Sequence, residues 1–215
     1  MRARTAWTAA QGEPAVTLLL RHGQTPMSVQ KRYAGRSDVP LTDAGVAQAA
    51  AAAKRLAPAG IAAIVASPLQ RTVQTAEQVA AVTGRPVVTE DGFRETDFGA
   101  WEGLTFAEVR ERWPSEMTAW LADPEVAPPG GESFDQVSER VTAALHRILA
   151  ERAHQTVLIV SHVTPIKTLV AAALLAPPAA LYRMHLDVAA LCEIDWYADG
   201  PAVLRSFNDT AHLSQ

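Results

Sequence analysis

The sequence has little of what would place it among secreted, membrane-bound or nucleic-acid-binding proteins. Its 215 residues include one cysteine, Cys192, so an internal disulfide framework is excluded and a reducing, cytoplasmic environment is expected. No run of eighteen apolar residues is present, so we expect no transmembrane helix. The formal net charge of −4 creates no general attraction to nucleic acid or to anionic membranes. A site for an anion therefore has to be built locally.

The length fits one domain with a single core. Residues 1–14 contain two arginines but no hydrophobic stretch, so they do not form a secretory signal. We interpret residues 1–14 as a flexible leader or linker remnant and residues 15–215 as the domain. Cys192 lies in an apolar run typical of a strand, which indicates a buried and inert thiol.

One stretch of the sequence combines a predicted strand with candidate catalytic residues. The apolar run Val16–Leu20 is too short for a helix and predicts a buried strand. It ends in Arg21, His22 and Gly23. In an open α/β sheet, ligands bind beyond the carboxyl ends of the strands. Gly23 lets the backbone turn sharply. Taken alone, a histidine after a strand is more often structural than catalytic.

A second copy of this pattern lies far downstream. The apolar run Thr156–Val160 also ends in a histidine, His162, after one serine. Thr164 is predicted to be the N-cap of the next helix, with Pro165 at its first position. His162 and the Val163 amide would then face the positive end of a helix, which attracts anions. Two such histidines on one sheet can meet at one pocket.

These motifs resemble those of the histidine phosphatase superfamily, which includes phosphoglycerate mutases and acid phosphatases. Its Arg-His-Gly-Glu/Gln-Thr marker stands at residues 21–25, and the resemblance extends from about Thr17 to His212. It implies a three-layer α/β/α fold with a mainly parallel sheet and a small helical cap at about residues 100–132. The alternation of strands and helices supports an α/β class directly, whereas the strand order is taken from the family.

The stretch Ser67–Ala76 is similar to the family's Ser-Pro-Leu-x-Arg-x-x-x-Thr-Ala motif, whose arginine clamps the phosphate. Ser67 and Pro68 are predicted to open a helix there. The predicted buried stripe of this helix is Leu69, Val73, Ala76 and Ala80. Arg71 lies off that stripe, and its planar guanidinium suits bidentate phosphate binding.

The following loop has four carboxylates, of which spacing alone selects none: Asp91, Glu95, Asp97 and Glu102. Most loop carboxylates only keep a surface soluble. The resemblance selects Glu95 as the proton donor, because the family pattern is Glu-x-Asp-Phe-Gly-x-Trp-Glu-Gly. It gives Glu102 a structural role.

The resemblance further implies a metal-independent reaction in which His22 forms a phosphohistidine. It predicts a phosphate site formed by Arg21, Thr25, Ser28, Arg71, His162 and Val163. Ser28 stands where many relatives have an asparagine, which alters that site. We expect no cofactor, because arginines and histidines supply the positive charge and no zinc-binding pattern is present.

The sequence leaves alternatives for the substrate and the partners of this protein. The cap segment 113–133 contains no lysine or arginine, so hydrolysis is favoured over phosphoglycerate mutase-type transfer, which needs a site for a second phosphate. The motifs resemble α-ribazole phosphatases of cobalamin synthesis and, equally, the acid phosphatase half of actinobacterial ribonuclease H fusions. A non-catalytic phospholigand-binding module is the alternative of another class. The expected partner is a small phosphorylated substrate, not nucleic acid or a membrane, and a homodimer is left open.

Three secondary features also have two interpretations. The cations Lys31, Arg32 and Arg36 form either a solvated loop or a rim that attracts the substrate. The cap tryptophans either pack together or accept a flat substrate group. The remaining histidines are expected to be structural or exposed: His146, His154, His185 and His212.

Overall fold

A computed structural model describes residues 12–213, in which a six-stranded sheet lies between two helical layers. Residues 1–11 of the predicted leader lie outside the described residues. The strands are β1 (Ala15–Arg21), β2 (Ile61–Ala66), β3 (Val87–Thr89), β4 (Thr156–Ser161), β5 (Leu191–Trp196) and β6 (Ala202–Asp209). Their order in the sheet is β3-β2-β4-β1-β5-β6.

The pairing of the strands confirms the predicted, mainly parallel sheet. β1, β2, β3 and β4 run parallel to one another, with β1 beside β4. β5 is antiparallel to β1 and forms with β6 the hairpin that the turn pair Asp199 and Gly200 predicts. The central strands β1 and β4 therefore end at the same edge of the sheet.

Helices cover both faces of this sheet. They are α1 (Pro26–Val29), α2 (Asp43–Leu56), α3 (Gln70–Thr83), α4 (Phe106–Arg112), α5 (Pro114–Ala122), α6 (Phe134–Glu151) and α7 (Val163–Ala173). Leu19 packs in one core with α6 and α7, whereas its neighbours Leu18 and Leu20 pack in a second core with α2 and α3. This alternation follows from the strand period of two. Among residues 12–213, no helix combines the length and apolar character needed to cross a bilayer.

Two predicted helix starts are wrong. α3 begins at Gln70 after Leu69, not at Pro68, and the Ser67 hydroxyl instead contacts His162. α7 begins at Val163 with His162 as its N-cap, so Thr164 lies inside the first turn. At the first of these starts, the Ser67 hydroxyl that could cap the helix belongs to a buried contact with His162. Sequence preference for a cap cannot reveal that competition.

The inward face of α3 also differs from the predicted stripe. Val73 and Ala80 are only half-buried, whereas Arg71 is 1% exposed. The buried positions of this helix are Arg71, Thr72, Thr75, Ala76 and Val79. The helix is thus rotated so that polar groups, including a guanidinium, face the interior.

The segment between β3 and α6 forms a separate apolar cluster. α4 begins with a Thr105–Glu108 capping box and α6 with a Ser133–Gln136 box, as the Thr-x-x-Glu and Ser-x-x-Gln patterns of the sequence predict. Between them the side chains of Trp101, Val109, Met117, Trp120 and Phe134 pack together. The predicted cap tryptophans therefore have a packing role, and Trp120 also lines a cavity described below.

Two glycines bring the start of α2 against the turn after β1. A Cβ on Gly45 would lie 2.1 Å from the Gln24 carbonyl oxygen, and a Cβ on Gly23 would lie 2.4 Å from the Gly45 oxygen. Both contacts are with backbone atoms, which cannot rotate away. This close approach fixes the turn that carries His22.

We predict that Gly45→Ala destabilises the protein by about 1–3 kcal/mol, the usual cost of overpacking. The sign is informative because glycine-to-alanine changes inside helices ordinarily stabilise by about 1 kcal/mol. Urea denaturation at a constant m-value measures the change. Ala47→Gly, at an exposed position of α2, is the control. It should be less stable than the wild type by about 1 kcal/mol, the ordinary preference of a helix for alanine over glycine. A Gly45→Ala protein as stable as the wild type contradicts the prediction.

Candidate active site

A cavity of about 400 Å³ opens beyond the carboxyl ends of β1 and β4. Its inner end is lined by Arg21, His22, Glu95, Val163 and Thr164. Its remaining lining residues are Thr25, Ser28, Arg32, Tyr33, Ala34, Phe98, Trp120, Phe134, Lys167, Leu181 and Tyr182. Of the predicted site residues, Arg71 and His162 are absent from this lining.

His22 is held in one tautomer. Its Nδ1 lies 2.8 Å from the Gly23 carbonyl oxygen, which can only accept, so Nδ1 carries the proton and Nε2 has a free lone pair. Burial lowers the pKa of His22 well below 6.5, and the charges of Arg21 and Arg71 lower it further. The imidazole is therefore neutral near pH 7, as a nucleophile needs to be.

His162 lies next to His22, with ring centroids 5.2 Å apart. Its Nδ1 accepts from Arg71 Nε at 3.3 Å, so Nε2 is protonated and donates to the Ser67 hydroxyl at 2.8 Å. Burial lowers the pKa of His162 well below 6.5, with Arg71 as the next cause. The sequence does not reveal Ser67 as a partner of this histidine, because the Ser67-Pro68 pair has the pattern of a helix start.

Arg71 lies behind the cavity lining. Its terminal nitrogens donate to the backbone oxygens of Ser37, Ala34 and Gly35 at 2.7, 2.8 and 3.2 Å. In this arrangement its donors stabilise the loop after α1 and orient His162. Direct contact between Arg71 and a phosphate stays a prediction.

Arg21 contributes a partly buried cation to the cavity. One terminal nitrogen donates to the Leu186 oxygen at 2.7 Å, whereas Nε is buried without a hydrogen-bond partner among the described residues. Burial lowers the pKa of Arg21 to about 10, and Glu95 opposes that shift. A buried donor without a partner is costly, so an anion in this cavity would be stabilised.

The Glu95 carboxylate lies on the N-terminus of α7. It accepts from the Val163 and Thr164 amides at 3.0 and 3.2 Å and from the Thr96 amide at 2.9 Å. The Val163 amide, predicted to bind phosphate, thus binds the predicted acid here. The α7 terminus attracts an anion as expected, since backbone amides and the helix dipole favour negative charge.

Arg140, which the sequence interpretation did not anticipate, holds the loop that carries Glu95. Its guanidinium donates to the backbone oxygens of Gly92, Arg94 and Glu95 and pairs with Glu132 at 2.9 Å. No local motif signals this role, because α6 and the loop are far apart in sequence.

Thr25 and Ser28 line the cavity while capping α1. The Ser28 amide donates to Thr25 Oγ1 at 3.1 Å, and the Thr25 amide donates to Ser28 Oγ at 2.9 Å. The Ser28 hydroxyl also donates to the Thr25 oxygen at 2.8 Å. Ser28 is therefore satisfied locally, and its contact with a substrate stays a prediction.

The structure also gives contacts for the rim cations and for Glu102, and it places Cys192 in the interior. Of the three rim cations, Arg32 lines the cavity and pairs with Glu108, and Arg36 pairs with Asp97. Glu102 accepts from the Gly35 and Ser37 amides, a structural contact. Burial raises the pKa of the Cys192 thiol to about 11, which makes it inert.

Both the sequence and the fold of this chain are similar to those of known proteins. A model of the histidine phosphatase superfamily (branch 1) matches residues 17–210. The bifunctional protein Rv2228c of Mycobacterium tuberculosis is 51% identical over 208 residues, which cover 96% of this chain and 57% of that protein. The probable phosphoglycerate mutase GpmB of Proteus mirabilis is 35% identical over 204 residues, covering 91% of this chain and 94% of its own length.

A solved structure of the mycobacterial glucosyl-3-phosphoglycerate phosphatase Rv2419c with VO3 is also similar. It has a TM-score of 0.85 and 31% identity, and the match covers 91% of this chain and all of that one. Proteins named as phosphatases and as a mutase are thus similar to this chain, which supports phosphatase or phosphotransfer chemistry. The chain spans 57% of the length of the bifunctional relative.

The neutral histidines predict how stability depends on pH. Below about 6.5 the unfolded chain protonates His22 while the folded protein does not, so the free energy of unfolding falls as pH falls. Well above pH 6.5 His22 is neutral in both states and does not change the free energy of unfolding with pH. Below pH 6.5 that free energy falls by at most about 1.4 kcal/mol per pH unit for one such histidine. Urea denaturation from pH 5 to 8 should show a shallower decline for His22→Gln than for the wild type.

The control for this prediction is His146→Gln, which removes an exposed histidine of α6. It should retain the wild-type decline. Equal declines for His22→Gln and the wild type would mean that His22 titrates normally in the folded protein.

Proposed function

The chain belongs to the histidine phosphatase superfamily, and on that premise we propose that it is a metal-independent phosphomonoesterase acting through a phosphohistidine. The observation that carries the proposal is the state of His22. It is neutral and buried, its Nδ1 is bound to a carbonyl, and its Nε2 is left with a lone pair beside a partly buried arginine. That combination suits nucleophilic attack on an anionic ester.

In the first step His22 Nε2 attacks phosphorus in line with the leaving oxygen. A nitrogen–phosphorus bond forms, the phosphorus–oxygen bond breaks, and the electron pair leaves on oxygen. Arg21, whose Nε lacks a partner among the described residues, would neutralise charge on the phosphoryl oxygens. Arg71, His162 and the Val163 amide are the further proposed ligands, and they would exchange their present hydrogen bonds for the phosphate.

Glu95 is proposed to move the protons. It lines the same cavity as His22 and, in its protonated form, would give a proton to the leaving oxygen, so that the alcohol departs neutral and a carboxylate remains. It would then take a proton from the water that attacks the phosphohistidine. Water thereby returns His22 to its starting state and releases inorganic phosphate.

Hydrolysis is favoured over mutase-type transfer by the charges around the cavity. A mutase binds a second phosphate, which carries nearly two negative charges at neutral pH. The segment 113–133 has no lysine or arginine, and Arg32 at the cavity wall is paired with Glu108. Lys167, also in the lining, is a single cation against nearly two negative charges. The non-catalytic alternative is weakened because His22, Glu95 and Arg21 share one cavity.

The proposed substrates are small phosphate monoesters. Aromatic rings form much of the outer cavity: Tyr33, Phe98, Trp120, Phe134 and Tyr182. We call these five residues the aromatic wall. It suits a planar or apolar leaving group, with α-ribazole 5′-phosphate as one candidate and a broader range of esters as the other.

We predict that incubation with a labelled monoester traps phosphate on His22 as an acid-labile, base-stable adduct, the behaviour of a nitrogen–phosphorus bond. His22→Ala should lose both the adduct and turnover. The reaction is run after exhaustive chelation, because side chains are proposed to supply the positive charge. Label on another residue would contradict the covalent role of His22, and strict dependence on added Mg²⁺ or Zn²⁺ would contradict the proposed electrostatics.

We predict that Glu95→Gln slows the first step according to the leaving group. For an alkyl phosphate such as a ribose 5′-phosphate, phosphorylation of His22 should slow by roughly 10²-fold, the usual contribution of a general acid. For p-nitrophenyl phosphate the loss should be much smaller, since that leaving group needs no proton. Single-turnover kinetics separates this step from dephosphorylation. Equal losses for the two esters would remove Glu95 from the role of acid.

A further inference from the structure

Lys167 lies on the cavity wall one helical turn beyond the reacting centre. It belongs to α7, four residues after Val163, whose amide binds Glu95. Four residues advance a helix by about 6 Å. Lys167 shares this cavity with His22 and with the aromatic wall, so part of the leaving group of a substrate whose phosphorus lies at His22 can contact it.

The ammonium of Lys167 has donors to spare. Nζ donates to the Leu181 oxygen at 3.2 Å, which uses one of its three hydrogens. Within residues 12–213, no carboxylate oxygen lies within 4.0 Å of Nζ. Burial lowers the pKa of Lys167, whereas the charge of Glu95 raises it and that of Arg21 lowers it. A half-buried ammonium with this environment is stabilised by an additional anion.

The neighbouring polar groups are already occupied. Arg32 donates to Gln30 and Gly103 and pairs with Glu108 at 2.9 Å. The Tyr182 hydroxyl donates to the Trp120 carbonyl oxygen. Among the described residues, Lys167 is thus a cation without a carboxylate partner, in the same cavity as the aromatic wall.

We propose that Lys167 determines specificity by binding a carboxylate on the leaving group, while the aromatic wall contacts the apolar part of the same group. This inference rests on the proposed phosphomonoesterase function and names its substrate class. One cation matches the single charge of a carboxylate, whereas a second phosphate would bring nearly two charges to one ammonium. The contact is a charge-assisted hydrogen bond in a partly dehydrated site.

The test compares two esters of nearly equal size, 3-carboxyphenyl phosphate and 3-carbamoylphenyl phosphate. The measured quantity is the ratio of their kcat/KM values. We expect the wild type to favour the carboxylate ester by roughly tenfold, the effect of one charge-assisted hydrogen bond. Lys167→Met should bring the ratio to about one, and Lys167→Arg should restore most of it. Lys54→Met, on the exposed side of α2, is the matched control and should keep the wild-type ratio.

The ratio separates recognition from an indirect effect through Glu95. If Lys167 acted by adjusting Glu95, its removal would change both esters alike and leave the ratio unchanged, which would overturn the inference. If neither ester is hydrolysed, the proposed function fails and not the assignment of Lys167. The same ratio is then taken from dissociation constants measured by calorimetry, where equal affinities for the two esters would overturn the inference.

Discussion

The candidate site depends on the parallel pairing of β1 with β4. In this register Arg21 lies opposite Ser161, and the His22 amide donates to the Ser161 oxygen at 3.0 Å. Two strands separated by about 140 residues therefore end at the same level, and each continues into a histidine. Because the pairing is made of backbone hydrogen bonds in a buried sheet, it tolerates little slippage. The 5.2 Å separation of the two imidazoles follows from that register.

Burial decides the chemistry of these histidines more than any single neighbour does. Both pKa values are lowered chiefly by loss of hydration, and the nearby arginines act in the same direction. The guanidinium groups of Arg21 and Arg71 place positive charge beside the two histidines. Glu95 on the α7 N-terminus supplies part of the compensation. The site is thus arranged around one carboxylate, in a position where an anionic ester would compete for the same donors.

The cavity has two ends with different chemistry. The inner end combines Arg21, His22 and Glu95, and it suits a group common to all phosphate monoesters. The outer end combines the aromatic wall with Lys167, which lies on α7 shortly after the end of β4. The group common to all monoesters and the variable leaving group would therefore meet different side chains, which suits a fold that hosts several related activities.

Much of this protein could be predicted from local sequence. The apolar runs Val16–Leu20 and Thr156–Val160, the capping boxes and the final hairpin each depend on short-range patterns, and all were found in the structure. The nearness of His22 and His162 followed from two strands ending at one sheet edge. What only the tertiary structure decided are contacts between distant segments: Arg71 facing the 34–37 carbonyls, Ser67 bonded to His162, Arg140 holding the Glu95 loop, and Lys167 at the cavity wall. Their physical reason is shared, because a buried polar group takes whichever partner the packed chain brings within reach, and a local pattern contains no record of that partner.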